Sequence, residues 1–230
     1  MAAFLSIALF ARLGYWQIER AEEKRTAAEL YYQRSLAEPA FISAEYAARL
    51  NLEDWQWRRV WVPGNFAANQ HWLLDNEVDD QGRIGYRVYT PQRMGDREAP
   101  WLMVDRGWVA MPGTRNAVPA LPYTEAPVQL NGIIAAWPRP GLKLRGADVV
   151  EALGNGILRV QFLDRDVVQS RLGATVLPYI LRLAPDSPLA FQQRAPLAIS
   201  GADRHRGHAF QWFALAFTVF VTYLVHRFTQ

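Results

Sequence analysis

The chain has no cysteine among its 230 residues. Without thiols it cannot form disulfides, thiolate-ligated zinc or iron–sulfur sites, or the CxxCH attachment of a c-type haem. Histidine is also scarce, with four residues in all. His71 lies far in sequence from the other three, so its spacing gives little support for a metal site. Any site in this chain must therefore be built from few imidazoles and no thiolates.

Catalytic signatures are absent from the sequence as well. It contains no GxSxG elbow, HExxH pair, P-loop or Rossmann fingerprint, the short patterns that most often mark nucleophiles, zinc or bound phosphates. We therefore expect a protein that is not an enzyme. A membrane-anchored enzyme is the least favoured alternative.

Neither sign of charge dominates, with 25 basic and 22 acidic residues and a net charge of +3. The arginines are scattered, and no basic run alternates with stacking aromatics, so the sequence does not predict a nucleic-acid partner. A mean hydropathy of −0.12 is too polar for a multi-span channel. These values favour a folded extramembrane domain with a few membrane spans.

A long apolar run lies near the carboxyl end. Residues 207–225 contain no formal charge, and as a helix they would extend about 28 Å, close to the roughly 30 Å hydrocarbon core of a bilayer. We predict a transmembrane helix over residues 204–227. Its polar residues are at the leading end, where Trp212 would lie at headgroup depth beside His205 and His208.

A second apolar segment begins the chain and is interrupted by Arg12. Its first 16 residues would form about 24 Å of helix, short of a full crossing unless the bilayer thins and Arg12 reaches a headgroup. A signal peptide is the alternative, but a cationic start and a small-residue cleavage site are both missing. We predict a transmembrane helix over residues 1–18. Trp16 and Gln17 close it, at the same membrane face as Gln211 and Trp212.

The polar segment that follows is predicted to continue as a stalk helix over residues 19–39. Arg20 with Glu23, and Glu22 with Arg25, are three residues apart and can pair on its surface. Pro39 ends the helix, because the residue before a proline disfavours helical geometry.

Residues 40–203 alternate with period two and carry turn residues between the runs, which predicts one β-rich domain with a linker over residues 185–202. Ser43 is a predicted helix cap for a segment ending at Leu50. Asp164 and Gly173 delimit another helix over residues 164–172. The predicted strands are residues 55–62, 71–76, 84–90, 101–109, 128–137, 158–163 and 175–183. The expected fold class is an α+β membrane protein, with two transmembrane helices flanking one mainly antiparallel extramembrane domain.

In the strand over residues 102–109, alternation places Leu102, Val104, Arg106 and Trp108 on one face. An arginine among apolar neighbours needs acceptors, because burying it unpaired is costly. A structural arginine is the favoured interpretation. A position at the rim, with Arg106 and Trp108 binding a partner, is the alternative.

His205 and His208 are three residues apart, and Gln211 and Trp212 continue the same helix face. Neutral imidazole is an axial ligand for haem iron, and a membrane entrance lined by tryptophan could accept a flat apolar macrocycle. We take the candidate cofactor-binding residues to be His205, His208, Gln211, Trp212, Trp16 and Gln17. Two wet interfacial histidines without a ligand remain the alternative.

Several sequence blocks occur in a characteristic order. LGYWQIERAEEK (13–24), LLDN (73–76), GYRVYTP (85–91), VDRGWV (104–109) and RHRGHAFQWFALA (204–216) resemble blocks of the SURF1 (Shy1) family. In that family the first reads LGxWQxxRxxxK and the last reads RHxGYAxQWFxLA. The matches extend over nearly the whole chain, so the resemblance is specific when the blocks are taken together.

The resemblance implies a multi-pass protein of the bacterial inner membrane, whose large domain is in the periplasm. It implies a chaperone-like factor for haem–copper cytochrome c oxidase assembly, which assists insertion of haem a into subunit I or stabilises that subunit. Oxidase subunit I, haem a synthase and the lipid bilayer are the implied partners, and haem a is the implied transient cofactor. His205 matches the histidine implicated in haem iron binding. A scaffold that never touches haem is the alternative function.

Two positions depart from the family pattern, and the flanking charges oppose the implied orientation. His208 replaces the usual tyrosine and is either a second ligand or, as we favour, a neutral substitution. Asp105 replaces the usual asparagine of an NRGW block. Basic residues flanking the spans are more numerous on the domain side, which by the positive-inside rule favours a cytoplasmic domain. That rule is weak for long inserts, so we expect the domain outside. The absence of a transit peptide before the first predicted span favours a bacterial source.

Overall fold

The computed structural model describes residues 2–67, 70–96, 98–115, 117–122, 124, 126–138, 150–194 and 200–229. The chain divides into two compact units. The first combines residues 1–33 with 195–230, and the second comprises residues 34–194. The predicted linker falls partly at 195–199, outside the described residues.

Five helices and nine strands make up the described structure. The helices are α1 (Ala2–Ser35), α2 (Ala44–Arg49), α3 (Leu52–Trp55), α4 (Arg165–Leu172) and α5 (Ala202–Phe228). The strands are β1 (Ala40–Phe41), β2 (Arg59–Phe66), β3 (His71–Val78), β4 (Ile84–Arg93), β5 (Trp101–Ala110), β6 (Val128–Ala136), β7 (Glu151–Gly154), β8 (Ile157–Val160) and β9 (Val176–Leu183).

The first unit is an antiparallel pair formed by α1 and α5. Buried positions recur every seven residues, at Gly14 and Ala21 in α1 and at Ala209 and Ala216 in α5. This spacing is typical of a coiled-coil seam, and small residues let two helices approach closely in lipid as well as in water. At Gly14 a Cβ atom would lie 2.7 Å from the Phe213 ring, so the seam needs a glycine there.

Aromatic rings flank the small residues of this seam. The ring centroids of Phe4 and Tyr223 lie 5.1 Å apart, and those of Tyr15 and Phe213 lie 5.5 Å apart. Edge-to-face contacts of this kind add about 0.5–1.5 kcal/mol beyond the burial of their area. The contacts run in opposite directions along the two helices, which fixes the antiparallel register.

Within the described part of the chain, α5 is the one helix long and apolar enough to cross a membrane. Only 11% of its most apolar stretch is buried, which separates it from the core helix of a soluble domain. The expectation of two such helices is therefore met in part. In α1 the apolar stretch contains Arg12 and continues without a break into the charged stalk, so the first span stays a prediction.

The second unit contains a small β-barrel. Strands β2, β6, β9, β5 and β4 follow one another around a ring, and β4 returns to β2 through the Asn65–Arg93 and Phe66–Gln92 pairs. Gly64 permits this closure, because a Cβ atom there would lie 2.2 Å from the Arg93 carbonyl oxygen. Strands β3, β8 and β7 extend the sheet beyond β4, and β1 pairs with β2.

The barrel interior holds one apolar core, to which Val60, Val62, Leu102, Val104 and Leu181 contribute. A second core lies on the other face of the sheet, under α4, around Trp72, Tyr89 and Met103. Strand β5 separates the two cores, since its alternate residues enter one or the other. Both of its faces are buried for this reason, as is usual for a strand covered on two sides.

Most predicted elements of this domain are confirmed, and the pairings are mainly antiparallel, six against three parallel. Ser43 caps α2 and Asp164 caps α4, while Gly173 ends α4 in the left-handed conformation. The prediction of a strand over residues 55–62 is wrong at its start. Asn51 caps a helical turn through Trp55, and the strand begins at Arg59. Strands β1 and β7 were not predicted.

Candidate functional site

The hydrogen bond between Gln17 and His205 joins α1 to α5 within the first unit. Gln17 Oε1 lies 2.7 Å from His205 Nδ1. The two residues occupy heptad positions of the seam, three residues after Gly14 and four before Ala209, and both are partly buried. The predicted pair of candidate residues on different helices is thus brought into direct contact.

His208 and Gln211 form a contact within α5 alone. His208 Nδ1 lies 3.2 Å from Gln211 Oε1, and both side chains are exposed. At 100° per residue His208 is displaced from the seam centred on Ala209 and Ala216. His208 therefore shares the polar end of the helix with His205 but has a much wetter environment.

The two candidate tryptophans have different neighbours. Trp212 packs against Phe10 across the seam, with ring centroids 5.6 Å apart, about two helical turns from His205. Trp16 is half exposed and lies under the Arg20 guanidinium, 5.8 Å from the ring centroid. The structure therefore joins Gln17 with His205, and Trp212 with Phe10.

A groove of about 370 Å³ runs along the helix pair and is lined by Ile18, Ala21, Glu22, Arg206, Ala209, Phe210 and Phe213. Successive residues of α5 are rotated by 100° about the helix axis. One flank of α5 therefore carries His205 and Trp212, and the opposite flank carries Arg206, Phe210 and Phe213. The groove is therefore separate from the Gln17–His205 contact.

In the β-rich unit, Arg106 is fully buried at the end of the barrel core. Its Nε donates to the Leu189 carbonyl at 2.9 Å, and Nη2 donates to the Pro122 carbonyl. The Phe66 and Phe191 rings lie on its guanidinium, at 5.6 and 4.7 Å. Burial lowers the pKa of Arg106 to about 10, which still leaves it charged at neutral pH. The structure thus gives Arg106 internal acceptors, in agreement with the favoured structural interpretation.

The predicted side for Trp108 is wrong, because a β-bulge interrupts the alternation. Tyr89 pairs with Asp105 and Val88 with Gly107, so Arg106 is the extra residue. Gly107 has a φ of +106°, and a Cβ atom there would lie 2.8 Å from the Gln192 carbonyl oxygen. Such bulges shift the following side chains to the other face.

Trp108 therefore lies opposite Arg87, on the Asp105 side of the sheet. Its Nε1 donates to the Glu77 carbonyl at 3.1 Å, and 4% of it is exposed. Neither Trp108 nor Arg106 offers side-chain surface to a partner, so we do not retain them as partner-binding residues.

Asp105 is the centre of a buried ionic cluster that sequence reasoning missed. Its carboxylate accepts from Arg87 Nε at 2.9–3.0 Å and from the Gly107 N–H at 3.0 Å, and Arg182 lies 3.6 Å away. Burial alone would lower the pKa of Arg87, but the charge and hydrogen bond of Asp105, together with Tyr89 and Glu77, outweigh burial and the pKa is raised. Gln193 bridges the two arginines. The available signal for this cluster in the sequence was that Arg87 and Arg182 lie at alternating positions of predicted strands.

His71 is buried inside the sheet and is 2.9 Å from the Thr90 hydroxyl. Burial, together with the nearby positive charge of Arg106, lowers the pKa of His71 to about 4. Among the described residues no group of three or more His, Asp or Glu side chains converges as a metal site. His71 is therefore a neutral structural histidine at physiological pH.

Comparisons with known proteins agree with the order of the sequence blocks. The SURF1 family model matches residues 4–217. A SURF1-like protein from Rickettsia felis is 22% identical over 232 residues, which covers 99% of this chain and 96% of that protein. Surfeit locus protein 1 from Arabidopsis thaliana is 31% identical over 114 residues, or 46% of this chain and 32% of that protein. Because the family model covers most of the chain, the protein belongs to the SURF1 family.

Proposed function

We propose that this protein is a biogenesis factor for haem–copper cytochrome c oxidase, which holds haem a briefly at His205 and assists its entry into subunit I. Family membership supports the assembly role. The observation that carries the haem role is the position of His205, partly buried at the seam where α1 and α5 meet.

The donor set fits a haem cargo. His205 supplies one imidazole, whose Nδ1 is already engaged by Gln17, and Trp212 with Phe10 forms an aromatic surface on the same helix pair. Neutral imidazole binds haem iron, and aromatic side chains suit a flat apolar ring. Haem a, when bound, would supply an iron atom for such a ligand. His208 is a weaker candidate, since it is exposed and lies away from the seam.

We further propose that α1 spans the membrane beside α5, so that the protein is multi-pass in the bacterial inner membrane with its β-rich domain in the periplasm. The complementary seam of small residues supports this, because it lets α1 follow α5 over several turns. Exposed Phe4, Leu5 and Leu9 on α1 suit a lipid environment. Oxidase subunit I and haem a synthase are the proposed partners.

The test is an optical spectrum of the full chain, purified in detergent from cells that make haem a. Wild type should copurify with haem, and His205→Ala should lose most of it, at least tenfold, with the folded domain intact by circular dichroism. His226→Ala is the matched control, since His226 is an exposed histidine in the last turn of the same helix. It should retain haem at the wild-type level.

A haem-independent scaffold is the alternative, and the same experiment separates the two. If wild type never retains haem, and His205→Ala still supports oxidase maturation and crosslinks to subunit I, the haem role is wrong and the scaffold function is favoured. Equal loss of haem in His205→Ala and His226→Ala would also contradict a specific site at His205.

A further inference from the structure

We propose that Gln17 is a positioning residue for His205, which fixes the tautomer and the ring orientation of that imidazole so that Nε2 is the atom available to iron. The inference rests on the proposed haem role. Gln17 comes from α1 and His205 from α5, and their polar atoms are 2.7 Å apart. The haem ligand would thus be completed by both helices.

The chemistry of the two side chains sets the direction of this hydrogen bond. An amide oxygen is an acceptor, so the proton of the bond must lie on His205 Nδ1. A neutral imidazole carries one proton, which leaves Nε2 with its lone pair. Ligating histidines typically donate their other N–H to an oxygen in this way, and that partner also raises the basicity of the ligating nitrogen. Gln17 thereby prepares Nε2 for metal before any cargo arrives.

The burial of the contact explains why the protein would need Gln17 for this purpose. In water either tautomer of a histidine is satisfied by solvent. His205 is partly buried against α1, so fewer water molecules can replace the amide oxygen. His208 offers the comparison within the same helix, since its Nδ1 also faces an amide oxygen, that of Gln211, but at 3.2 Å and in an exposed setting.

A consequence is that helix pairing and haem binding are coupled. The acceptor reaches His205 only when α1 and α5 are in register, with Gly14 against Phe213. Separation of the helices would free the ring to rotate and would weaken the ligand. Release of cargo could then accompany a change in pairing, without any change in the ligand itself.

The test titrates haemin into the full chain in detergent and follows the Soret band and the reduction potential of the bound iron. Loss of a partner of this kind typically weakens metal binding 10- to 100-fold. Gln17→Leu removes the acceptor and should weaken haemin binding by about that factor. Gln17→Glu keeps an acceptor, so it should bind within about threefold of wild type, but with a more negative potential, because a carboxylate makes the imidazole more basic. Gln33→Leu is the matched control, since Gln33 is an exposed glutamine near the end of α1, and it should change neither quantity.

The outcomes distinguish the two proposals. If wild type does not bind haemin, or if His205→Ala binds equally well, the proposed function fails first. If His205→Ala abolishes binding but Gln17→Leu remains within threefold of wild type, the positioning role alone is wrong. Should Gln17→Leu lose helical signal, Gln17→Glu decides, since an unchanged potential in that variant overturns the inference. Binding weakened equally by Gln33→Leu would overturn it as well.

Discussion

The β-rich unit and the helix pair bury polar groups in different ways. In the β-rich unit, Asp105 receives an arginine, a backbone N–H and a second arginine, all held by strands whose register is fixed by the barrel. In the helix pair, the buried seam positions are glycine and alanine, and a single hydrogen bond joins Gln17 to His205. Asp105 therefore has several partners for one charge, whereas the Gln17–His205 contact depends on one hydrogen bond.

This difference suits the two regions to different tasks. A charge with several fixed partners has one stable arrangement, so the Asp105 cluster holds its strands in one position. A histidine with one partner on a neighbouring helix can change its state when the helices shift. Removal of one group from each region should therefore lower the free energy of unfolding by different amounts.

The largest effect is expected at Asp105. Asp105→Ala would leave Arg87 and Arg182 buried without their counter-charge, and breaking a buried pair in this way typically costs about 3–5 kcal/mol. Urea unfolding of the full chain in detergent, followed by the far-ultraviolet signal of the β-rich unit, measures the free energy of unfolding. Asp105→Asn keeps an acceptor for Gly107 and Arg87, so it should cost less than half as much.

The control for Asp105→Ala is Asp54→Ala, which removes an exposed carboxylate in α3 and should change stability by less than about 0.5 kcal/mol. If Asp105→Ala costs no more than that, the cluster is not a rigid support. The contrast between the two regions would then disappear.

Much of the domain could be predicted because its local signals agree with the final structure. Ser43 and Asp164 are strong caps and form helix starts, and Gly173 adopts the left-handed conformation that ends α4. Alternation identified β3, β4, β6 and β9 to within a few residues. These signals are set by neighbours in sequence, so the sequence alone carries them.

The features that could not be predicted depend on contacts distant in sequence. The bulge at Arg106 arises because β4 and β5 pair with one extra residue on β5, and it reverses the side of Trp108. Closure of the barrel depends on how closely Gly64 approaches Arg93. At the candidate site, the antiparallel arrangement of the two predicted spans placed Trp16 and Gln17 at the same membrane face as Gln211 and Trp212, but it did not pair Gln17 with His205. Their direct hydrogen bond required the register of both helices.

The next largest effect is expected in the pH dependence of the stability of the β-rich unit. His71 has a pKa of about 4 in the folded chain and about 6.5 when unfolded. The unfolded chain therefore takes up a proton as the pH falls below 6.5, whereas the folded chain does not. The contribution of His71 to the free energy of unfolding is fully present above pH 6.5. It is lost progressively as the pH falls to 4, by about 3 kcal/mol in total.

His71→Gln isolates this contribution, because glutamine can still bond to the Thr90 hydroxyl but does not titrate. Urea unfolding of both chains at several pH values between 7.5 and 4 gives the comparison. Wild type should lose about 3 kcal/mol more than the variant over that interval, the order expected from its lowered pKa. Parallel pH profiles for the two chains would show that His71 is not the buried neutral group described above.

The smallest effect is expected in the helix pair, where the seam depends on shape and not on charge. Gly14→Leu would push a side chain into the Phe213 ring, since even a Cβ atom would approach it to 2.7 Å, and overpacking of this kind costs about 1–3 kcal/mol. The chain lacks cysteine, so spin labels on cysteines introduced at the exposed positions Leu5 and Val225 report only the distance between α1 and α5. That distance should lengthen and its distribution should broaden in Gly14→Leu.

Gly207→Leu is the matched control, because nothing lies within 4 Å of its Cβ position. It should leave the distance unchanged. The same seam holds Gln17 against His205. If the distance is unaltered in Gly14→Leu, the helix pair tolerates a large side chain at the seam. The proposed coupling of helix pairing to haem binding would then have no structural basis.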